Sequence, residues 1–174
     1  MADIIEHPDH GRARHAVLEL TSLRNSGIFD LKNGGYEFFI PCVTFALITI
    51  ADLLKFLNKC NNRITKNEFI PNDCEDITDF IINVRNAACH IRSDKREAVQ
   101  SVITNAVIDA YGQGGLQIND LVLKSEFVDD IAVFWGATRL YIFRNLFSAF
   151  DDCREIITPD LIGNEVMIGK KRTF

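Results

Sequence analysis

The segment that most limits how this chain can fold is Phe38–Ala51, FFIPCVTFALITIA. It is apolar nearly all round, so almost every direction around it must be covered. Its threonines and proline interrupt it and Asp52 closes it. It falls short of the roughly 18–20 apolar residues that a membrane span needs. It is therefore expected as the central helix of a bundle, running from about Pro41 to Lys59. A proline is tolerated in a first helical turn, where its missing N–H is no loss.

The length, 174 residues, suits a single domain with a full core, residues 1–174. Hydrophobic residues make up 47% and charged residues 25%, the balance of an ordinary globular protein. The net charge of −5 argues against a general polyanion binder, although a local patch can differ from the total. Five cysteines, Cys42, Cys60, Cys74, Cys89 and Cys153, form no CxxC pair. The N-terminus MADIIEHPDHGR is too polar for a secretory signal. Reduced thiols and a cytoplasmic location, away from membranes, are the expectation.

Other helices read from their spacing. Ala13, Ala16, Val17, Leu20 and Leu23 predict one over about Asp9–Arg24. A third is expected to begin near Asp73, with that carboxylate as its cap. A fourth is expected over Ser93–Tyr111, with Val99, Val102, Ile103, Ala106, Ala110 and Tyr111 as its buried stripe and Gly112 as its stop. Beyond Gly115 the pattern alternates in part. IAVFWGATRLYIF reads as a hairpin around Gly136-Ala137-Thr138, and NLFSAFDDCREII as a last helix. The expected fold is mainly α, with a helical core over about 9–111 and a hairpin and last helix over about 116–157.

The third helix ends in RNAACH, residues 85–90. Turning about 100° per residue from Ile77 gathers Phe80, Ile81, Val84, Ala87, Ala88 and Ile91 on one side. Asp79, Asn83, Asn86 and His90 fall opposite, with Asn86 and His90 one turn apart. Arg85 lies between the faces, about 140° from His90. Polar residues opposite a core stripe are the ordinary amphipathic pattern, so a merely solvated face stays open. Two features favour a site. Ser93 opens the next expected helix, whose N-terminus would attract an anion. Arg85, Arg92, Lys95 and Arg96 crowd there with only Asp94 against them, a basic island suited to phosphate.

Arg85-Asn86-x-x-x-His90 resembles the R-x(4–6)-H motif of the HEPN superfamily, which carries a polar residue directly after the arginine. The resemblance covers about residues 40–111. It implies a four- or five-helix bundle, usually a homodimer whose two motifs meet at the interface. It implies a metal-independent endoribonuclease acting on RNA, as in bacterial toxins and phage-defence effectors, and hence an antitoxin or regulatory partner. Arg85, Asn86 and His90 would be catalytic, and Arg92, Lys95 and Arg96 would hold RNA phosphate. The resemblance equally implies an alternative, a module without catalysis that binds nucleotide or a protein partner.

The residue chemistry is consistent with RNA cleavage. Histidine can act as acid or base near neutral pH, and arginine offers phosphate a fixed fork of donors. His7, His10 and His15 lie in a polar stretch, no ligand set has metal-site spacing, and neither a metal nor another cofactor is expected. Trp135, Phe134, Tyr141 and Phe143 could stack bases, but at alternating spacing they read first as hairpin core. GQGG at 112–115 lacks the lysine–serine/threonine pair of a phosphate loop.

Overall fold

The computed structural model describes residues 7–30, 37–89, 107–118, 121–136 and 138–160. Among them are four α-helices: α1 (His10–Arg24), α2 (Phe39–Lys59), α3 (Ile77–Cys89) and α4 (Ser148–Ile157). A turn of π-helix, Ile142–Phe147, leads directly into α4. Five strands lie between α3 and that turn: β1 (Val107–Tyr111), β2 (Gly115–Ile118), β3 (Leu121–Lys124), β4 (Ile131–Trp135) and β5 (Thr138–Tyr141).

The apolar run becomes α2. Phe39, Val43, Leu47, Ile50, Leu54 and Leu57 are among its buried residues. The helix is long and apolar enough to cross a membrane, and half of its most apolar window is buried inside the fold. Each fully buried Val, Leu, Ile or Phe side chain contributes roughly 1.5–3 kcal/mol. A surface ion pair contributes only about 0–1 kcal/mol, so the burial on α2 outweighs the ion pairs around it. α1 packs on it through Ala13, Val17 and Leu20, the stripe its spacing predicts. Two ion pairs join α1 to the end of the chain described: Arg24 to Asp151 at 2.6 Å, and Arg14 to both oxygens of Asp160 at 2.7 and 2.8 Å.

The strands correct the expected fold class. β1, β4 and β5 form a three-stranded antiparallel sheet in the order β1-β4-β5, and β2 and β3 form a separate antiparallel pair. The molecule is a mixed α and β fold, not the mainly α, HEPN-like four- or five-helix bundle with a hairpin appended. The β4–β5 hairpin stands where the sequence places it, with Trp135 opposite Thr138 and Gly136 at φ 63° in the turn. It is, however, the body of a sheet that includes β1.

β1 also overturns the end of the expected fourth helix. Val107–Tyr111 pairs with β4 from Val107↔Trp135 to Tyr111↔Ile131. Ala106, Ala110 and Tyr111 fit helical spacing, but the β-branched and aromatic residues of VIDAY equally suit a strand. Pairing with β4 decides the competition. Residues 93–106, the remainder of that expected helix, lie outside the described residues.

β4 is the central strand, and all five of its residues are buried. Ile131, Val133 and Trp135 belong to the large core that includes the helices. Ala132 and Phe134 belong to a smaller core with Ala110, Leu123 and Tyr141. The sheet thus has helices on one face and the β2–β3 hairpin, through Leu123, on the other. That explains the unbroken apolar run where a half-exposed strand would alternate.

Candidate functional site

The helix that carries Arg85 is fixed at its start by charge. Asp76, not the expected Asp73, caps α3: its Oδ1 accepts the Asp79 N–H at 2.9 Å. Arg63 grips the same carboxylate at 2.8 and 3.0 Å and reaches Asp79 Oδ1 at 2.8 Å. Hydrogen bonds first to Asp76 and then to Asp79 push the Arg63 guanidinium above its ordinary value. The buried Thr78 hydroxyl donates to the Ile64 carbonyl at 2.8 Å.

The expected core stripe of α3 is observed as far as Ala88, and Ile91 lies outside the described residues. Ile77, Phe80, Ile81, Val84 and Ala87 are buried, and Ala88 packs against the core they join. Asp79, Asn83 and Asn86 lie on the other side, half-buried. Asp79 is held by Arg63. The Asn83 amide donates to Cys74 Sγ at 3.6 Å. Asn86 Oδ1 accepts from Arg85 Nη1 at 3.3 Å.

Arg85 is also half-buried, and its Nε is buried without a hydrogen-bond partner. Among the described residues, Arg12, Arg14, Arg24, Arg63, Arg139 and Arg144 each lie within 4.0 Å of a carboxylate. Arg85 meets an amide oxygen instead. A buried donor left unsatisfied costs about 1–3 kcal/mol, and more when it is charged. The structure thus brings Arg85 and Asn86 together. His90, Arg92, Lys95 and Arg96 lie outside the described residues.

A cavity of about 780 Å³ opens beside the polar face of α3. Asn83 and Phe80 line it from the helix, Phe69 and Cys74 from the loop before it, and Lys124, Phe127, Arg139 and Tyr141 from the strand side. Three rings meet edge to face along one wall: Phe69 on Phe127 at 5.5 Å, and Phe127 on Tyr141 at 4.9 Å. Arg139 lies over the Tyr141 ring at 4.8 Å and pairs with Glu126 at 3.2 Å. Burial pushes the Tyr141 hydroxyl up, so it stays neutral and accepts the Glu126 N–H at 3.3 Å. Sequence reasoning noticed Phe134 and Tyr141 but missed Phe69, Lys124 and Phe127, which reach the wall from three separate loops or strands.

Behind the wall stands a clamp built on Asp130, which is fully buried. Its carboxylate accepts the backbone N–H groups of Ile131, Phe143 and Arg144 at 2.7, 2.9 and 3.0 Å, and the Arg144 guanidinium at 3.2 Å. It serves as a remote cap for the π turn, whose first N–H groups have no partner within the turn. Arg144 also pairs with Asp129 at 2.9 Å and lies 3.8 Å from the Phe127 ring centre. Asn145, fully buried, accepts the Tyr141 N–H at 2.9 Å and donates to the Phe69 carbonyl at 3.0 Å.

Several other polar groups have structural partners. His10 Nε2 is 3.3 Å from the Ile157 carbonyl, and His15 lies beside Glu19. Lys66 donates to Ser148 Oγ at 2.7 Å and pairs with Asp152, tying its loop to α4. All five cysteines are free thiols, and burial pushes Cys153 far up, away from reactivity. Among the described residues no three His, Cys, Asp or Glu side chains gather to hold a metal ion. Trp135 is buried in the larger core, as its position in the hairpin predicts.

No family model, curated protein or solved structure matches this chain. The comparisons therefore add no family, the HEPN superfamily included.

Proposed function

We propose that Arg85, Asn86 and His90 form a site for metal-independent cleavage of RNA. The observation that carries the reading is the open charge at Arg85. Its guanidinium is half-buried, meets no carboxylate among the described residues and keeps one buried N–H unsatisfied. A phosphate oxygen would meet both needs, in the fork geometry that arginine offers. Asn86 holds the guanidinium from one side. His90, five positions after Arg85, supplies proton transfer. Arg92, Lys95 and Arg96 supply further positive charge for the RNA backbone.

The chemistry balances without a metal. A base takes the 2′-hydroxyl proton, the 2′-oxygen bonds to phosphorus, and the bond from phosphorus to the 5′-oxygen breaks. An acid then protonates the departing 5′-oxygen. One imidazole fills one of these roles, and a homodimer would supply the second. The exposed Cys89 and the partly covered Ile82, flanking Arg85, offer part of that interface.

The test is to incubate the purified protein with mixed RNA, with and without EDTA, and to analyse the ends. The expected products carry 2′,3′-cyclic phosphate and 5′-hydroxyl ends in both samples. Loss of cleavage on chelation, restored by magnesium, would overturn the mechanism. RNA or nucleotide binding with no product would move the reading to a binding module without catalysis.

A further inference from the structure

We propose that the 780 Å³ cavity beside α3 is a nucleobase pocket, the base subsite of the cleavage site. The choice of RNA as its ligand rests on the function proposed above. Its volume lies within the roughly 300–1,000 Å³ typical of small-ligand sites.

The carrying observation is Phe69. It is 54% exposed and adopts a left-handed backbone, φ 58°. A bulky residue in that region is a genuine outlier, and such strain persists only where its surroundings enforce it. Here the enforcer is Asn145, buried and bonded to the Phe69 carbonyl. Phe69 belongs to neither apolar core. The fold therefore holds an aromatic ring at the mouth of a cavity, at a cost that core packing does not explain. An exposed ring with a second ring braced behind it is a stacking surface, and every base has a flat face to stack.

The polar groups fit the rest of a nucleotide. Among the described residues the Lys124 ammonium has no partner, while Arg139 beside it is held by Glu126. Lys124 is thus the cation available to a phosphate. The Asn83 amide nitrogen goes to Cys74, which leaves its oxygen facing the exocyclic amine of a base. Asn83 and Asn86 are three positions apart on α3, so their Cβ atoms are about 5–6 Å apart. Asn86 in turn accepts from Arg85 Nη1 at 3.3 Å, so Asn83, Asn86 and Arg85 lead in sequence from the pocket to the proposed cleavage site.

The experiment measures binding without chemistry. The probe is a fluorescein-labelled single-stranded 2′-O-methyl RNA, which lacks the nucleophile, read by anisotropy with nucleoside 5′-monophosphates as competitors. Phe69→Asn removes the ring and keeps a residue that tolerates the left-handed backbone. Lys124→Ala removes the exposed cation. Circular dichroism checks both folds. The wild type is expected to bind. Phe69→Asn should weaken binding by about 5- to 150-fold, the loss of one base stack. Lys124→Ala should lower the slope of log K against log salt by about 0.7, one phosphate contact on a single strand. Competition by monophosphates identifies a single nucleotide as the ligand, and its absence identifies the strand. No binding by the wild type, or unchanged binding by Phe69→Asn, overturns the proposal. Phe69-dependent binding with no cleavage of ordinary RNA overturns the cleavage reading alone. Cleavage with an unchanged KM in Phe69→Asn overturns the pocket alone.

Discussion

Arg144 and Arg85 are both partly buried arginines, and the molecule treats them in opposite ways. Arg144 meets two carboxylates, Asp129 and Asp130, and lies over two rings, Phe127 and Phe69. Arg85 meets one amide oxygen and leaves a donor unsatisfied. In a chain with a net charge of −5 there is no shortage of carboxylates. The difference marks Arg144 as a support, complete within the protein. Among the described residues Arg85 has no such completion, and the function proposed above gives that place to a phosphate.

The contrast is sharpest in activity. His90→Ala should lower RNA cleavage by about 10²–10⁴-fold, the usual contribution of general acid–base catalysis. The helical period of the sequence puts His90 on the polar side, so stability is expected to stay within roughly 0.5 kcal/mol of the wild type, as at surface sites. Product yield against time, with a urea melt on the same sample, gives both numbers. Unchanged cleavage, or a variant that unfolds, makes His90 structural.

On the Arg144 side the expected effect is on stability. Asp130→Ala leaves three backbone N–H groups without their acceptor and the Arg144 guanidinium with Asp129 alone. Breaking a buried charge pair costs about 3–5 kcal/mol, read as a lower urea midpoint. A loss below about 1 kcal/mol would remove the distinction between the two arginines.

Arg85→Ala should change stability by less than about 1 kcal/mol, because it also removes an unsatisfied buried donor. RNA cleavage should fall, and RNA affinity with it. A destabilisation as large as that of Asp130→Ala would make Arg85 a second support and sink the phosphate reading.

The smallest effect concerns Asp160. Hydrogen bonds from Arg14 hold its carboxyl below the usual carboxylate range. A lowered value in the folded state means that the contact contributes above the ordinary carboxylate range. That contribution is lost as pH falls through the lowered value. The segment around Asp160 should therefore loosen from α1 in acid before the core melts. Amide signals around Asp160 followed through an acid titration test this, and signals that persist until global unfolding would contradict it.

How much of this was legible depended on distance along the chain. α1, the course of α2 and the core face of α3 follow from spacing within single helices. The β4–β5 hairpin follows from two apolar runs around one glycine. Val107–Tyr111 was not legible, since five residues fit either period and β4 decides between them. The sequence points to Asp73 as the cap, and the bond from the Asp79 N–H and the approach of Arg63 put Asp76 there instead. Of the site, Arg85 and Asn86 stood out as a local motif. Asp130 and Asn145 did not, because their partners lie far along the chain, as Phe69 does from Asn145.

β4 gives alternate side chains to the two cores, so neither core can open while the other stays closed. Local fluctuations that free loops or helix ends leave its amides protected. Deuterium should enter those amides only through whole-molecule opening, at the rate set by the global stability. The two apolar cores then act as one cooperative unit, and a single sharp denaturation transition is expected where two independent layers would melt in turn.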